Sequence, residues 1–125
     1  MPETTIKLEP ETKVKEKMYE LFIGESKAVG MMTDDLNGFL ECIFIDTDKP
    51  IDLLISYEQY DNVIIFKSTK GILSGQKMFV PRILATHNDD EVINYSSEKF
   101  VLNNKLRIEA YGQPNTTVKI LLRYT

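Results

Sequence analysis

The residues best suited to metal chemistry surround the single histidine of the chain. His87 and Asn88 precede three acidic residues, Asp89–Glu91. Calcium needs about six to eight oxygen ligands at defined spacings, and this run lacks the Asp-x-Asp-x-Asp-Gly arrangement of a calcium loop. The run is consistent with a metal site or a solvated loop, and its spacing favours the loop. We therefore expect no metal and no cofactor, and keep His87 as a candidate partner contact.

A second acidic group follows an apolar run. Asp46 and Asp48 would point to the same side of a strand, and Asp52 follows shortly after. That grouping could hold a metal or a sugar. In turns, however, aspartate side chains commonly bond to nearby backbone, and Lys49-Pro50 indicates a turn here.

Cys42 is the only cysteine, so the chain cannot form an internal disulfide. A nucleophilic role would need an exposed thiolate beside a base. The thiol lies instead within the apolar run Leu40–Phe44, which favours a buried small hydrophobe. A lone unpaired cysteine also suits assembly in a reducing compartment.

Tyrosines are the candidates for stacking on a ligand, because the chain has no tryptophan. Tyr57 and Tyr124 fall on apolar faces and are expected in the core. Tyr60, Tyr95 and Tyr111 are freer to contact a partner or a sugar. Paired carboxylates brought together by folding would remain compatible with glycoside hydrolysis. Phosphate-loop, Cys-x-x-Cys and nucleophile-elbow motifs do not occur, so we expect no enzyme.

Composition bounds the class of protein. The chain has 125 residues, suited to one domain, and a formal net charge of -4. Its basic residues are scattered among acidic ones, which argues against a nucleic-acid partner. Its apolar runs are too short to span a membrane, and its N-terminus does not resemble a signal peptide.

The elements that must position these side chains are predicted best at the C-terminus. From Phe100 to Ala110, and again from Val118 to Tyr124, apolar and polar residues alternate with few exceptions. A period of two indicates strands with one buried face, and a turn at Gly112–Asn115 joins them. With similar runs upstream, the pattern predicts an all-β, antiparallel β-sandwich, jelly-roll-like, with about seven to nine short strands.

The N-terminal third is less regular. Residues 1–13 predict either a frayed terminus or an exchanged arm that uses Ile6 and Leu8, followed by a single domain over 14–125. Residues 13–23 suit a short helix or a strand, and the neighbouring elements favour a strand. Residues 28–32 suit another strand. Residues 34–38 predict a turn, because Asn37 and Gly38 both tolerate a positive φ. Residues 85–97 predict a long polar loop.

One ordered series of motifs resembles small structural proteins of tailed bacteriophages, found among head and virion genes. The resemblance covers residues 36 to 125 and follows a fixed order of short segments. The matching segments are Gly38-Phe39-Leu40, Asp46-Thr47-Asp48, Asp52-Leu53-Leu54-Ile55, Val63-Ile64-Ile65-Phe66, Phe79-Val80-Pro81-Arg82, Leu106-Arg107-Ile108-Glu109 and Thr117-Val118-Lys119-Ile120.

This resemblance implies a non-enzymatic virion protein, auxiliary or decorating, on the capsid. It implies the major capsid protein or another virion protein as partner, a homo-oligomer (trimer favoured), and assembly in the host cytoplasm before location in the virion. The alternative, from the tyrosines, is a carbohydrate- or surface-binding β-sandwich module.

Overall fold

A computed structural model describes residues 13–60, 63–68, 75–86, 92–95 and 98–125, and these form eleven strands. The strands alternate with short turns. In chain order they are β1 (Lys15–Ile23), β2 (Ala28–Met32), β3 (Leu36–Thr47), β4 (Ile51–Tyr57), β5 (Ile64–Lys67), β6 (Gly75–Phe79), β7 (Leu84–Thr86), β8 (Val92–Tyr95), β9 (Val101–Asn104), β10 (Leu106–Gly112) and β11 (Thr116–Tyr124).

Two antiparallel sheets hold nine of these strands. The first has the order β1-β11-β3-β6, with β9 paired to the first half of β3, and the second has the order β2-β10-β4-β5. Strands β1 to β4 pass alternately from one sheet to the other, and β10 and β11 return beside them. This strand order is that of a jelly roll. The predicted fold class is therefore confirmed, and the β7–β8 ladder is an addition to it.

The inner faces of the two sheets pack together as an aliphatic core. The predicted alternation holds along β10 and β11, where Ile108 and Ile120 have no exposed surface. Because side chains on a strand point to opposite faces in turn, each inner face is continuous across its sheet. The core also takes in Leu21, Ile45 and Ile55 from β1, β3 and β4.

The ambiguous N-terminal element is a strand, as favoured. Strand β1 pairs antiparallel with β11 along its whole length, and Tyr19, Leu21 and Ile23 alternate into the core. Nine residues paired to a buried central strand are stabilised by tertiary packing that a lone helix would lack. Residues 28–32 form β2, again as predicted.

The turn predicted over residues 34–38 is right only at its start: residues 33–35 connect β2 to β3, but Asn37 and Gly38 form no turn. Both residues lie inside β3, where Asn37 pairs with Asn103 and Gly38 with Leu102 of β9. Gly38 has a φ of 134°, and a Cβ there would lie 2.0 Å from the carbonyl oxygen of Thr125. The glycine is thus required by the close approach of the C-terminus within the sheet, not by a hairpin turn.

The predicted loop over residues 85–97 is also partly wrong. Residues 84–86 and 92–95 pair as antiparallel strands β7 and β8, with a register shift between Ala85 and Thr86. Polar composition concealed this short ladder. The predicted arm over 1–13 lies almost wholly outside the described residues and stays a prediction. Within the described ranges, no helix is long and apolar enough to cross a membrane.

Candidate interaction surface

Four apolar side chains line up across the outer face of the first sheet. Met18 of β1 pairs with Leu121 of β11, Leu121 pairs with Phe44 of β3, and Phe44 pairs with Met78 of β6. Met18, Leu121 and Phe44 each lie next to a buried residue, and Met78 precedes Phe79, which packs against the core. Because side chains alternate along a strand, these four side chains point away from the core. We call these four residues the apolar row.

The apolar row is open to solvent at both ends. Met18 is 60% exposed and Met78 is 58% exposed, whereas Leu121 and Phe44 between them are half-buried. An open groove of about 370 Å³ follows the row and is lined by all four side chains. Single exposed apolar residues are ordinary, but a contiguous stripe is typical of an interaction site.

Charged side chains border the row on one side. Arg123 donates from Nε and Nη2 to Glu16 Oε1, at 3.0 and 2.8 Å, and its guanidinium lies 5.0 Å from the centre of the Phe44 ring. Planar guanidinium groups stack favourably on aromatic faces. Arg123 therefore packs against the row while Glu16 partly neutralises its charge.

The opposite border carries charges in alternating order. Glu20 pairs with Lys119 in the β1–β11 register, Lys119 pairs with Asp46, and Asp46 pairs with Gln76 of β6. All four are exposed. A partner that covers the apolar row must therefore meet a negative, a positive and a negative group in this sequence.

The C-terminal residue is fixed beside the row's sheet. Thr125 and Phe39 exchange backbone hydrogen bonds of 2.8 and 3.0 Å. Glu41 Oε1 accepts hydrogen bonds from Lys99 Nζ at 2.6 Å and from Thr125 Oγ1 at 3.0 Å. The hydrogen bond from Lys99 holds the pKa of Glu41 below its usual value, with Thr125 contributing further.

The acidic and thiol candidates take structural positions. Asp48 Oδ1 accepts a hydrogen bond from the backbone N–H of Thr117 at 3.1 Å. Asp46 lies on the charged border of the row. Cys42 is 7% exposed and pairs with Arg123 in the sheet, so its thiol is buried as favoured. Within the described ranges, no three His, Cys, Asp or Glu residues are placed to hold a metal.

The tyrosine candidates do not form one site. Tyr60 is 63% exposed just after β4, whereas Tyr111 is 44% exposed on β10 and pairs with Asp52 near the start of β4. The length of β4 separates them by roughly 20 Å. Tyr111 donates its hydroxyl hydrogen to Glu109 Oε2 at 2.7 Å, which raises the pKa of Tyr111.

The other candidates cannot be placed as contacts. Ile6, Leu8 and His87 lie outside the described residues. Tyr95 belongs to β8, but the description of that strand covers its backbone only. Their assignment as partner contacts stays a prediction.

A second groove, of about 310 Å³, lies beside Tyr60. Tyr57 forms part of its wall and donates its hydroxyl hydrogen to the Val101 carbonyl at 2.7 Å. Amide and lysine side chains complete the lining. These polar side chains are Gln59, Asn103, Asn104 and Lys105, and Val63 adds an apolar side chain.

Sequence reasoning missed the apolar row because its members are far apart in the chain. Met18, Phe44, Met78 and Leu121 become neighbours only when the sheet order and registers are known. One signal was present: Leu121 breaks the alternation of β11, since it is an apolar residue at an outward position. Phe44 gave the same signal in β3, where both faces are apolar.

Comparisons with known proteins do not assign the chain to a family. The sequence matches no protein-family model, and no curated protein matches it. The resemblance to phage virion proteins thus stays a hypothesis.

Proposed function

We propose that this chain is a non-enzymatic structural protein of a tailed bacteriophage virion, an auxiliary or decoration protein on the capsid. The observation that carries the proposal is the exposed apolar row, which crosses β1, β11, β3 and β6 of the first sheet. Soluble monomers rarely leave such a stripe uncovered. The resemblance of residues 36–125 to virion proteins is the reason for proposing a virion as the location of the chain.

The first sheet is better suited to associate through its outer face than through its edge strands. The outer edge strand β1 carries the charged residues Lys15, Glu16, Lys17 and Glu20. Charges on an edge strand discourage backbone pairing with another sheet. Pro81, shortly after edge strand β6, lacks a backbone N–H to donate to a neighbour. Side-chain contact across a face is therefore the favoured mode of association.

Repetition makes a modest contact sufficient on a virion. When linked subunits bind together, each further contact becomes effectively intramolecular, and avidity exceeds the single affinity. A homo-oligomer of this chain would engage several capsid subunits at once.

The proposal is tested with particles of the encoding virus that lack this chain. Purified chain is added back, and co-sedimentation with the particles is measured against concentration. We expect saturable binding at a fixed copy number and a higher temperature of particle disruption. Absence of binding by the folded protein would contradict the proposal.

Carbohydrate binding is the second candidate function, and the groove beside Tyr60 favours it. An exposed aromatic ring next to amide side chains offers stacking and hydrogen bonds to sugar hydroxyls. Tyr60→Ala should abolish glycan binding on this reading and leave particle binding intact. The matched control is Tyr111→Ala, on β10 beside the start of β4, which should leave glycan binding unchanged.

A further inference from the structure

We infer that the apolar row is covered by a second copy of this chain, in a face-to-face dimer with a two-fold axis parallel to the strands. This inference rests on the proposed function, because it names the partner of the same surface. The axis would run between β11 and β3, the two central strands of the sheet. The order of charges beside the row supports this arrangement.

A two-fold axis parallel to the strands reverses the order of the strands across the face. It leaves the position of each residue along the strand direction unchanged. A residue of β11 then faces the residue of β3 that is its sheet neighbour, and β1 faces β6. Leu121 of one copy would meet Phe44 of the other, and Met18 would meet Met78. Apolar side chains therefore cover apolar side chains throughout the row, as an isologous interface requires.

The charged border is complementary in the same arrangement. Lys119 of each copy would face Asp46 of the other, so two opposite-charge pairs form around the axis. Glu20 would face the amide of Gln76. Opposite charges aligned across an interface fix its register and disfavour other partners.

A two-fold axis perpendicular to the strands gives the opposite result. It would place Glu16 against Glu20 and Arg123 against Lys119, two like-charge contacts beside the apolar residues. Like charges across an interface cost free energy. The charge order thus favours an axis parallel to the strands over one perpendicular to them.

The size of the face indicates a reversible dimer. Four strands spaced about 4.8 Å apart and a central strand of about 30 Å give roughly 600 Å² per copy. The total, roughly 1,200 Å², is at the lower end for specific interfaces. We therefore expect a dissociation constant in the micromolar range. Because both sheets twist, the facing residues should match best near the axis.

The first measurement is the mass of the full-length chain by light scattering, from about 1 µM to about 500 µM. We expect a monomer–dimer equilibrium, and Leu121→Glu should raise the dissociation constant at least about tenfold. The matched control is Met32→Glu, on the outer face of the second sheet, which should change it less than about twofold. A monomer throughout, or a trimer, would overturn the inference.

Charge exchange tests the predicted pairing. Lys119→Glu and Asp46→Lys should each weaken the dimer, whereas the double variant should recover most of the affinity. Both residues are exposed, so the fold should tolerate the changes. Equal weakening by the double variant would show that the two residues do not face each other.

Cross-linking fixes the direction of the axis. In a Cys42→Ala background, Met18→Cys and Met78→Cys proteins are mixed and treated with a short bismaleimide. We expect cross-links between the two variants and few within either one. Cross-linking of Met18→Cys to itself would indicate the perpendicular axis and overturn the inference.

The outcome is separable from that of the proposed function. A monomeric chain that still binds particles would refute the dimer and leave the virion role standing. A dimer that binds no particle would refute the virion role and leave the dimer standing.

Discussion

Gly38 lies where the C-terminal residue passes closest to β3. A Cβ at this position would lie 2.0 Å from the Thr125 carbonyl oxygen, and the φ of 134° is unfavourable for other residues. Gly38→Ala should therefore lower the free energy of unfolding by about 2–4 kcal/mol, measured by urea denaturation.

Two other glycines separate the causes of that loss. Gly75 has a φ of 110° but open space around it, so Gly75→Ala should cost only the backbone strain, about 1–2 kcal/mol. Gly24 also has open space around it and does not have a positive φ, so Gly24→Ala should change the free energy of unfolding by less than about 0.5 kcal/mol. Equal losses at all three positions would contradict the close approach.

Glu41 makes stability depend on pH. The hydrogen bond from Lys99 lowers the pKa of Glu41 in the folded protein below its unfolded value, near 4.5. The stabilisation is therefore complete above the unfolded pKa and is lost as the pH falls through the folded one. Glu41→Gln should cost about 0.5–1 kcal/mol at pH 7, since the pair is partly exposed.

The difference in free energy of unfolding between the native protein and Glu41→Gln should shrink toward zero as the pH falls well below 4.5. Thermal denaturation at a series of pH values measures this difference. Glu25→Gln, at an exposed turn, is the control for loss of a surface charge. A difference that is constant with pH would show that the charge of Glu41 contributes nothing.

Strand β10 is the centre of the second sheet, between β2 and β4. Ile108 points into the core with no exposed surface, whereas its neighbour Arg107 points outward. Ile108→Ala should cost about 2–4 kcal/mol because a cavity remains, and Arg107→Ala less than about 0.5 kcal/mol. Urea denaturation of the two variants measures this contrast. Similar costs would contradict the burial of Ile108 on one face alone, and a larger cost for Arg107→Ala would indicate that the strand presents its other face to the core.

Strand identity was predictable wherever one face is buried and the other solvated. The alternation along β10 and β11 is a direct consequence of that environment. It failed at Asn37-Gly38, because a dipeptide typical of turns lies in a strand held by two neighbours, β9 and the C-terminus. Tertiary pairing there overrides local turn preference, and sequence alone carries no record of the partner.

For the whole molecule, the jelly-roll class followed from strand count and spacing, but the interaction surface did not. Neighbours within the apolar row are 34 to 103 residues apart in the chain: Phe44 and Met78 are 34 apart, Phe44 and Leu121 are 77 apart, and Met18 and Leu121 are 103 apart. Only the sheet order makes them adjacent. The candidates read from sequence, Tyr60 and Tyr111, were chosen singly by residue type, and the fold sets them apart.

The proposed virion role is tested most directly by the composition of purified virions from the virus that, on this proposal, encodes the chain. Quantitative mass spectrometry of gradient-purified particles gives the copy number of the chain relative to the major capsid protein. We predict a fixed, high ratio that survives repeated purification. If folded chain is made during infection and is absent from the particles, the structural role is contradicted.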